Sequence, residues 1–491
     1  MCAGALGAQA VKLPPPPPKA EPVLSHISAA SLRGHLSFIA SDLLEGRGTP
    51  SRGLDLAAEY IASQFRRAGL EPAGDDGYYQ TAKMLEVEPA ASGFEMRVVH
   101  GERTFQIAHK EVTSRLQRAL DLTDTPVFKL GPDAQGLENL KPEDVAGKVL
   151  LTDLPAYVTV PRKIRELFQM VERVKPALTI ILTSRAPAEI GAKLVDPEKR
   201  SNDGPERLVV HNAELLKWAA ALPAGATGAT LTLRLPAPVE TPVTLKNVIG
   251  VLRGSDPVLK DSYILVTAHY DHLGTKTGGA GDRIYNGAND DGSGTVSVIE
   301  LASAFAKLAP RPKRSIVFMT FFGEEEGVFG SQYYAAHPIF PLARTIANVN
   351  LEQVGRTDST EGPKLSEVTF TGFPFSDLPE IFRTAGETVG VRVLSDERYG
   401  DSFFDRSDNI SFANVGIPAH TLAVAFDFAD YHAVGDEWQK IDYDNMAKVD
   451  RMLALGVLAL ARNPAPPKWN EANPKVERYV KAWKELHAAK P

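Results

Sequence analysis

Residues 264–274 read ILVTAHYDHLG and residues 286–294 read NGANDDGSG. The first string is an apolar run of strand character, Tyr263 to Val266, that stops at three groups able to bind a metal: His269, Asp271 and His272. In an open α/β sheet, ligands bind in the crevice at the carboxyl ends of parallel strands, so a polar cluster at that point marks a candidate site. The second string places Asp290 and Asp291 in a Gly-rich turn that runs directly into a helical pattern.

The same arrangement recurs further along the chain. Val298, Leu301, Ala302, Phe305 and Leu308 fall at helical spacing and Pro310 ends the run. An apolar strand from Ser315 to Phe322 ends in Glu324, Glu325 and Glu326; another, Ile346 to Leu351, ends at Glu352; a fourth, Ile417 to Phe426, leads to His432 and Asp436. Each is weak alone, because a single buried His is usually a core residue and a Glu triplet is usually a solvated face. Together they carry an argument: carboxylates gathered at one sheet edge repel and raise one another's pKa unless a cation neutralises them. Two imidazoles with carboxylates and no thiolate suit zinc better than calcium or magnesium. Taking His269, Asp290, Glu325, Glu352 and His432 as ligands, three carboxylates do not fully neutralise two divalent ions and leave room for a bridging hydroxide, which favours two metals over one. Such a pair, about 3.5–4 Å apart, lowers the pKa of bound water and stabilises a developing oxyanion.

Length and composition frame the site. With 491 residues the chain exceeds one ordinary core, and a net charge of −7 points away from nucleic acid or an anionic membrane as partner. Cys2 is the single cysteine, so neither an intrachain disulfide nor a Cys-ligated zinc site is expected. No run of about 18 apolar residues predicts a transmembrane segment. MCAGALGAQA followed by VKLPPPPPKAEP is read as a processed export-signal remnant and a polyproline linker over residues 1–26, so the expected location is exported: periplasmic, secreted or lipid-anchored.

A packing helix is predicted over Leu54 to Ala68, with Ala57, Ile61 and Phe65 inward and Gly69 as its stop. The GRGTPSRG loop before it reads as a rigid turn, because it lacks the ending of a phosphate loop. Residues 120–239 differ in character: strands such as GKVLLTDL, ALTIILTS and GATLTLRL alternate with Pro- and Gly-rich connections and carry no His/Asp/Glu cluster. They read as an inserted β-rich module, either a lid over the cleft or an inert insertion. Val476, Tyr479, Val480, Trp483 and Leu486 predict a C-terminal helix within residues 466–491.

The strings AHYDHLG, NGANDDGSG, FFGEEEGVFGS, NVNLEQVG, RSDNISFANVGIPA and DYHAVGDEW resemble the successive motifs of the co-catalytic zinc aminopeptidases of clan MH, whose relatives include glutamate carboxypeptidase and secretory glutaminyl cyclase. The resemblance implies an α/β, three-layer zinc-exopeptidase fold with a mixed, mostly parallel sheet formed by residues 27–119 and 240–465, and a protease-associated domain as the insertion at 120–239. It implies two zinc ions and a peptide substrate: His269 and Glu352 on one ion, Glu325 and His432 on the other, Asp290 bridging both through a residue followed by a cis peptide. Asp271 would orient His269, and Glu324 would be the general base acting on a metal-bridging water, with Glu326 a solvated neighbour. Alternatives on the same fold are a glutaminyl cyclase, with a single zinc, and an acidic-dipeptide carboxypeptidase; from another class, a binding protein on an inactive peptidase scaffold.

Two departures from the family pattern stand out. Glu352 occupies a position where many members have Asp, and Ser407-Asp408-Asn409 stands where Ser-Asp-His is common. Phe403, Phe404, Phe412, Phe426 and Phe428 are either an apolar substrate pocket or core, and Arg406 either meets a substrate carboxylate or pairs with a neighbouring acid.

Overall fold

The computed structural model describes residues 20–488 apart from 91, 115–117, 132–133, 154–160, 185–191, 200–206, 277, 279 and 396–399. The small-residue start and the proline run, residues 1–19, lie outside the described residues. The chain forms two compact units, Met1–Ala82 with Thr244–Pro491, and Lys83–Val243.

Among the described residues, the ten-stranded sheet includes, in chain order, β1 (Tyr79–Glu88), β2 (Val239–Leu252), β3 (Tyr263–His269), β4 (Ser315–Phe321), β5 (Thr345–Leu351), β6 (Glu367–Phe370), β7 (Arg392–Leu394) and β8 (Ala419–Ala423). Their spatial order is β7-β6-β8-β5-β3-β4-β2-β1. β3 runs parallel to both β4 and β5, and β5 parallel to β8, whereas β2 and β6 join antiparallel. The sheet is therefore mixed with a parallel centre. Every residue of β3, β4 and β8 is buried, as expected of parallel strands covered on both faces.

Alternating strand residues feed the two covering layers. Leu265, Val317 and Ile249 pack with Tyr334, Phe412, Trp469 and Tyr479, from helices Phe329–Ala336, Asn409–Asn414 and the C-terminal segment. Phe318, pointing the other way, meets Phe305 of helix Gly294–Phe305, which is buried along its whole length. Helix Arg52–Ala68 begins where the Ser51 side chain accepts from Leu54 N–H and ends at Gly69, whose φ of 78° closes it in the left-handed region. Ala57, Ile61 and Phe65 are buried.

Several boundaries differ from the sequence expectation. Helix Glu21–His26 belongs to the first unit's fold, with Val23 and Ile27 fully buried, so the linker does not extend to residue 26. The second unit begins at Lys83 instead of 120, because Glu95–His100 pairs with Gly225–Leu235, Arg103–Gln106 with Glu95–His100, and Val112–Ser114 with Arg207–Val210. It is α/β as well as β-rich: Leu120–Lys129, Val149–Asp153, Leu178–Leu182 and Arg207–Val210 run parallel, alongside helices Pro161–Val174 and Ala213–Ala220. The fourth strand is shorter than expected, Ala419–Ala423. The C-terminal helix is Glu477–His487; Val476 and Tyr479 join the core, while Trp483 stays 39% exposed. Among the described residues no helix is long and apolar enough to cross a membrane.

Candidate metal centre

The parallel strands β3, β4, β5 and β8 end at one edge, and their polar residues meet there. His269 is the last residue of β3, Glu324 and Glu325 follow β4, Glu352 follows β5, and His432 lies on the loop after β8. Asp290 comes from the turn before helix Gly294–Phe305 and is followed by a cis peptide to Asp291. Its Oδ1 lies 3.3 Å from His269 Nε2 and its Oδ2 lies 3.2 Å from His432 Nε2. Glu352 Oε1 is 3.9 Å from His269 Nε2, and Glu325 Oε2 is 3.2 Å from His432 Nε2. All five expected ligands thus converge, in two groups that share Asp290.

Glu324 stands in the same cluster, with Oε2 3.9 Å from His269 Nε2. By proximity alone, His269, Glu324 and Glu352 make one potential metal group, and His272, Asp290 and Glu325 another. His272 is the residue that the sequence assignment left out. Its Nδ1 lies 2.8 Å from Glu325 Oε1, the oxygen opposite the one facing His432, and its ring stands edge-on to His432 at 5.7 Å between centroids. Glu326 is exposed.

The supporting residues are as informative as the cluster. Asp271 Oδ1 lies 3.4 Å from His269 Nδ1 and accepts from Glu324 N–H at 3.0 Å, so one carboxylate registers the end of β3 against the segment after β4. Asp436 accepts from the backbone N–H of Asn289 and Asp290, at 2.9 and 3.1 Å, and fixes the turn that presents Asp290. Asp291 accepts from Gly294 and Gln353 N–H. Arg47, in the loop expected to be a simple turn, is fully buried and donates to the carbonyls of Ile39, Tyr270, Asn286 and Gly287. It braces both arms of the opening stretch, 264–274 and 286–294. The available signal was a lone arginine between two glycines, with no partner visible nearby in sequence.

The electrostatics describe a site short of positive charge. Burial pushes the Glu324 carboxyl well above its ordinary range, and Glu352 and Asp408 add to the effect. Burial also raises Glu352, to about 8, and Asp408, to about 7. Burial alone would lower the His269 imidazole, but Glu324, Asp271 and Asp290 reverse this and hold it well above its usual value. Asp290 is held below the carboxylate range: burial opposes this, and contacts with His269 and His432 outweigh it. His269 Nε2 is buried without a hydrogen bond and faces carboxylate oxygens of Asp290, Glu324 and Glu352. Imidazole nitrogens and carboxylate oxygens gathered this closely are what divalent cations satisfy, so the residues present fit two zinc ions.

A cavity of about 380 Å³ opens over the cluster, with Phe403, Phe426, Tyr431, Arg406 and Asp427 on its walls. Of the five phenylalanines read from sequence as either pocket or core, Phe403 and Phe426 line it, whereas Phe404, Phe412 and Phe428 are buried in the core. The Arg406 guanidinium lies 4.5 Å over the Phe403 ring.

Residues 247–457 match the model of peptidase family M28. The chain is 29% identical over 246 residues to aminopeptidase YwaD of Bacillus subtilis, covering 48% of this chain and 49% of that one. It is 28% identical over 228 residues to leupeptin-inactivating enzyme 1 of Streptomyces exfoliatus, covering 44% and 45%. The chain spans about half the length of these curated relatives. In fold it is similar to an aminopeptidase from Aneurinibacillus sp. strain AM-1, with a TM-score of 0.56 and 19% identity over 89% of this chain and 95% of that one.

Proposed function

From the match of residues 247–457 to the model of peptidase family M28, we propose that the chain is a zinc-dependent aminopeptidase that removes the first residue of a peptide. The single observation that supports this most is the position of Asp290, with one carboxylate oxygen toward each of two imidazoles. His269, Asp290 and Glu352 would hold one zinc ion, and Asp290, Glu325 and His432 the other. When bound, the pair supplies Lewis acidity toward the scissile carbonyl and lowers the pKa of water.

The chain's own groups do the rest. Glu324 sits on the cavity wall beside the ligands, and burial raises its proton affinity. It takes a proton from the attacking water and delivers it to the leaving amine, a role that needs a base of raised pKa. Asp271 holds the His269 ring and the Glu324 backbone in one register, so ligand and base move together. The acidic wall, including Asp427, favours a free α-ammonium over a blocked terminus. Phe403 and Phe426 offer apolar contact to the first side chain.

Hydrolysis of aminoacyl-4-nitroanilides beside their N-blocked counterparts, with chelator and with added zinc, tests the proposal. Cleavage of the free-amine substrates alone, lost to chelator and restored by zinc, is expected; cleavage restricted to blocked substrates would reject it. The second unit is read as a protease-associated domain and the chain as exported, on the sequence resemblance and the character of residues 1–26.

A further inference from the structure

Beneath Glu352 runs a chain of buried polar side chains whose proton directions are all determined from one end. The carbonyl of Phe404 can only accept, so the atom of Asn409 facing it at 2.9 Å is the amide Nδ2. Asn409 Oδ1 therefore faces the Thr421 hydroxyl at 2.8 Å, and Thr421 must give its one proton there. The Thr421 oxygen is left to accept, which turns the Asn350 Nδ2 toward it at 3.1 Å. The same Nδ2 donates to Ser407 Oγ at 2.8 Å, and the N–H of Asp408 donates to that oxygen at 2.6 Å. With both lone pairs of Ser407 filled, its proton can go only to Glu352 Oε1. At the far side of Asn350, Oδ1 accepts from Thr267 Oγ1, which accepts from Asn348 Nδ2, in agreement with this orientation. Asn350, Asn409 and Thr421 are at most 1% exposed and Ser407 is 2% exposed, so bulk solvent does not reach them.

We propose that Asn409, through Thr421 and Asn350, is a positioning residue that sets the direction of the Ser407 hydroxyl and so holds Glu352 aimed at His269. This rests on the reading that Glu352 binds a zinc ion. Asn409 occupies the place where the family pattern commonly has histidine, and Glu352 that of a shorter aspartate. A side chain one methylene longer has one more torsion to fix, and a donor locked onto Oε1 fixes it. Were the relay reversed, the Ser407 lone pair would face the Glu352 oxygen and push it away from the ion's position. Asn409 touches neither substrate cavity nor ligand, and acts four hydrogen bonds from Glu352.

Zinc dissociation constants of the full chain, measured by competition with a chromophoric chelator, test this. Thr421→Val, close in shape but unable to relay a proton, should weaken binding at the weakened site by about 10- to 100-fold, the usual effect of losing a group that orients a ligand. Thr421→Ser should bind like the wild type. Ser407→Ala should lose a similar amount, and the Thr421→Val/Ser407→Ala double variant no more than Ser407→Ala alone, because both act on the same bond. Wild-type affinity in Thr421→Val, or additive losses in the double variant, would overturn the inference. Glu352→Ala separates the two levels: if it binds zinc like the wild type, the underlying assignment fails and the inference with it, whereas loss in Glu352→Ala with none in Thr421→Val defeats the relay alone. Should Thr421→Val not fold, Asn350→Ala carries the same expectation, since it removes the next member of the relay.

Discussion

Asp290 and His432 meet through one carboxylate oxygen, Oδ2, at 3.2 Å from Nε2, while the other oxygen of Asp290 faces His269 at 3.3 Å. Sequence separation makes this informative. His269 ends β3 and His432 follows β8, two strands separated in the sheet by β5, and a single aspartate reaches both because its turn is clamped by Asp436.

Glu324→Gln keeps the shape of the side chain and removes its capacity to take up a proton. Two zinc equivalents per chain should remain while kcat falls by about 10²- to 10⁴-fold, the usual contribution of a general base. Elemental analysis beside steady-state kinetics reads both quantities. Loss of one zinc in this variant would make Glu324 a ligand, as its nearness to His269 and Glu352 permits.

His432 and His272 approach different oxygens of Glu325, Oε2 and Oε1. His432→Ala should lower the zinc content from two equivalents to one, and His272→Gln should retain two. The opposite pattern would move the second ion to the His272 side.

Arg47 gives hydrogen bonds to four backbone carbonyls, and burial lowers its pKa to about 10, still charged at neutral pH. Arg47→Met leaves those carbonyls without their donor. An unfolding free-energy loss on the order of 3 kcal/mol or more is expected, since each buried group left unsatisfied costs about 1–3 kcal/mol. Denaturant titration of the zinc-free chain measures it, and a loss below about 1 kcal/mol would show that the brace is dispensable.

Asp450, on helix Tyr443–Arg462, is fully buried away from the metal centre, and burial raises its pKa from 3.8 to about 8. The folded state therefore holds a proton that the unfolded state releases above about pH 4. Stability falls as pH rises toward 8, by at most about 1.4 kcal/mol per pH unit for this one group. Asp450→Asn removes that dependence, so the stability difference between variant and wild type should shift in the variant's favour as pH rises from 5 to 8. A difference that does not change with pH would mean that Asp450 is ionised in the fold.

The parallel core and the convergence of side chains at its edge were legible because each of β3, β4 and β5 is a short apolar run that ends abruptly in charge. That pattern is local. The role of Arg47 was not legible: its acceptors lie up to 240 residues away and are backbone atoms, which leave no trace in residue type. His272 was visible as a possible ligand, but its pairing with Glu325 depends on how the loops after β3 and β4 fold over each other. The phenylalanines split between cavity and core for the same reason, since density in sequence does not tell which face of a loop each occupies. The early start of the second unit was hidden because Glu95–His100 finds its partner in Gly225–Leu235, more than a hundred residues later.

The central claim is that Asp290 bridges two ions held by residues from four strand ends. Anomalous diffraction at the zinc edge, from crystals of the zinc-loaded chain, tests it most directly. The account predicts two peaks flanking the Asp290 carboxylate, one beside His269 and Glu352 and the other beside Glu325 and His432. A single peak, or two peaks with Asp290 bound to neither, would contradict it.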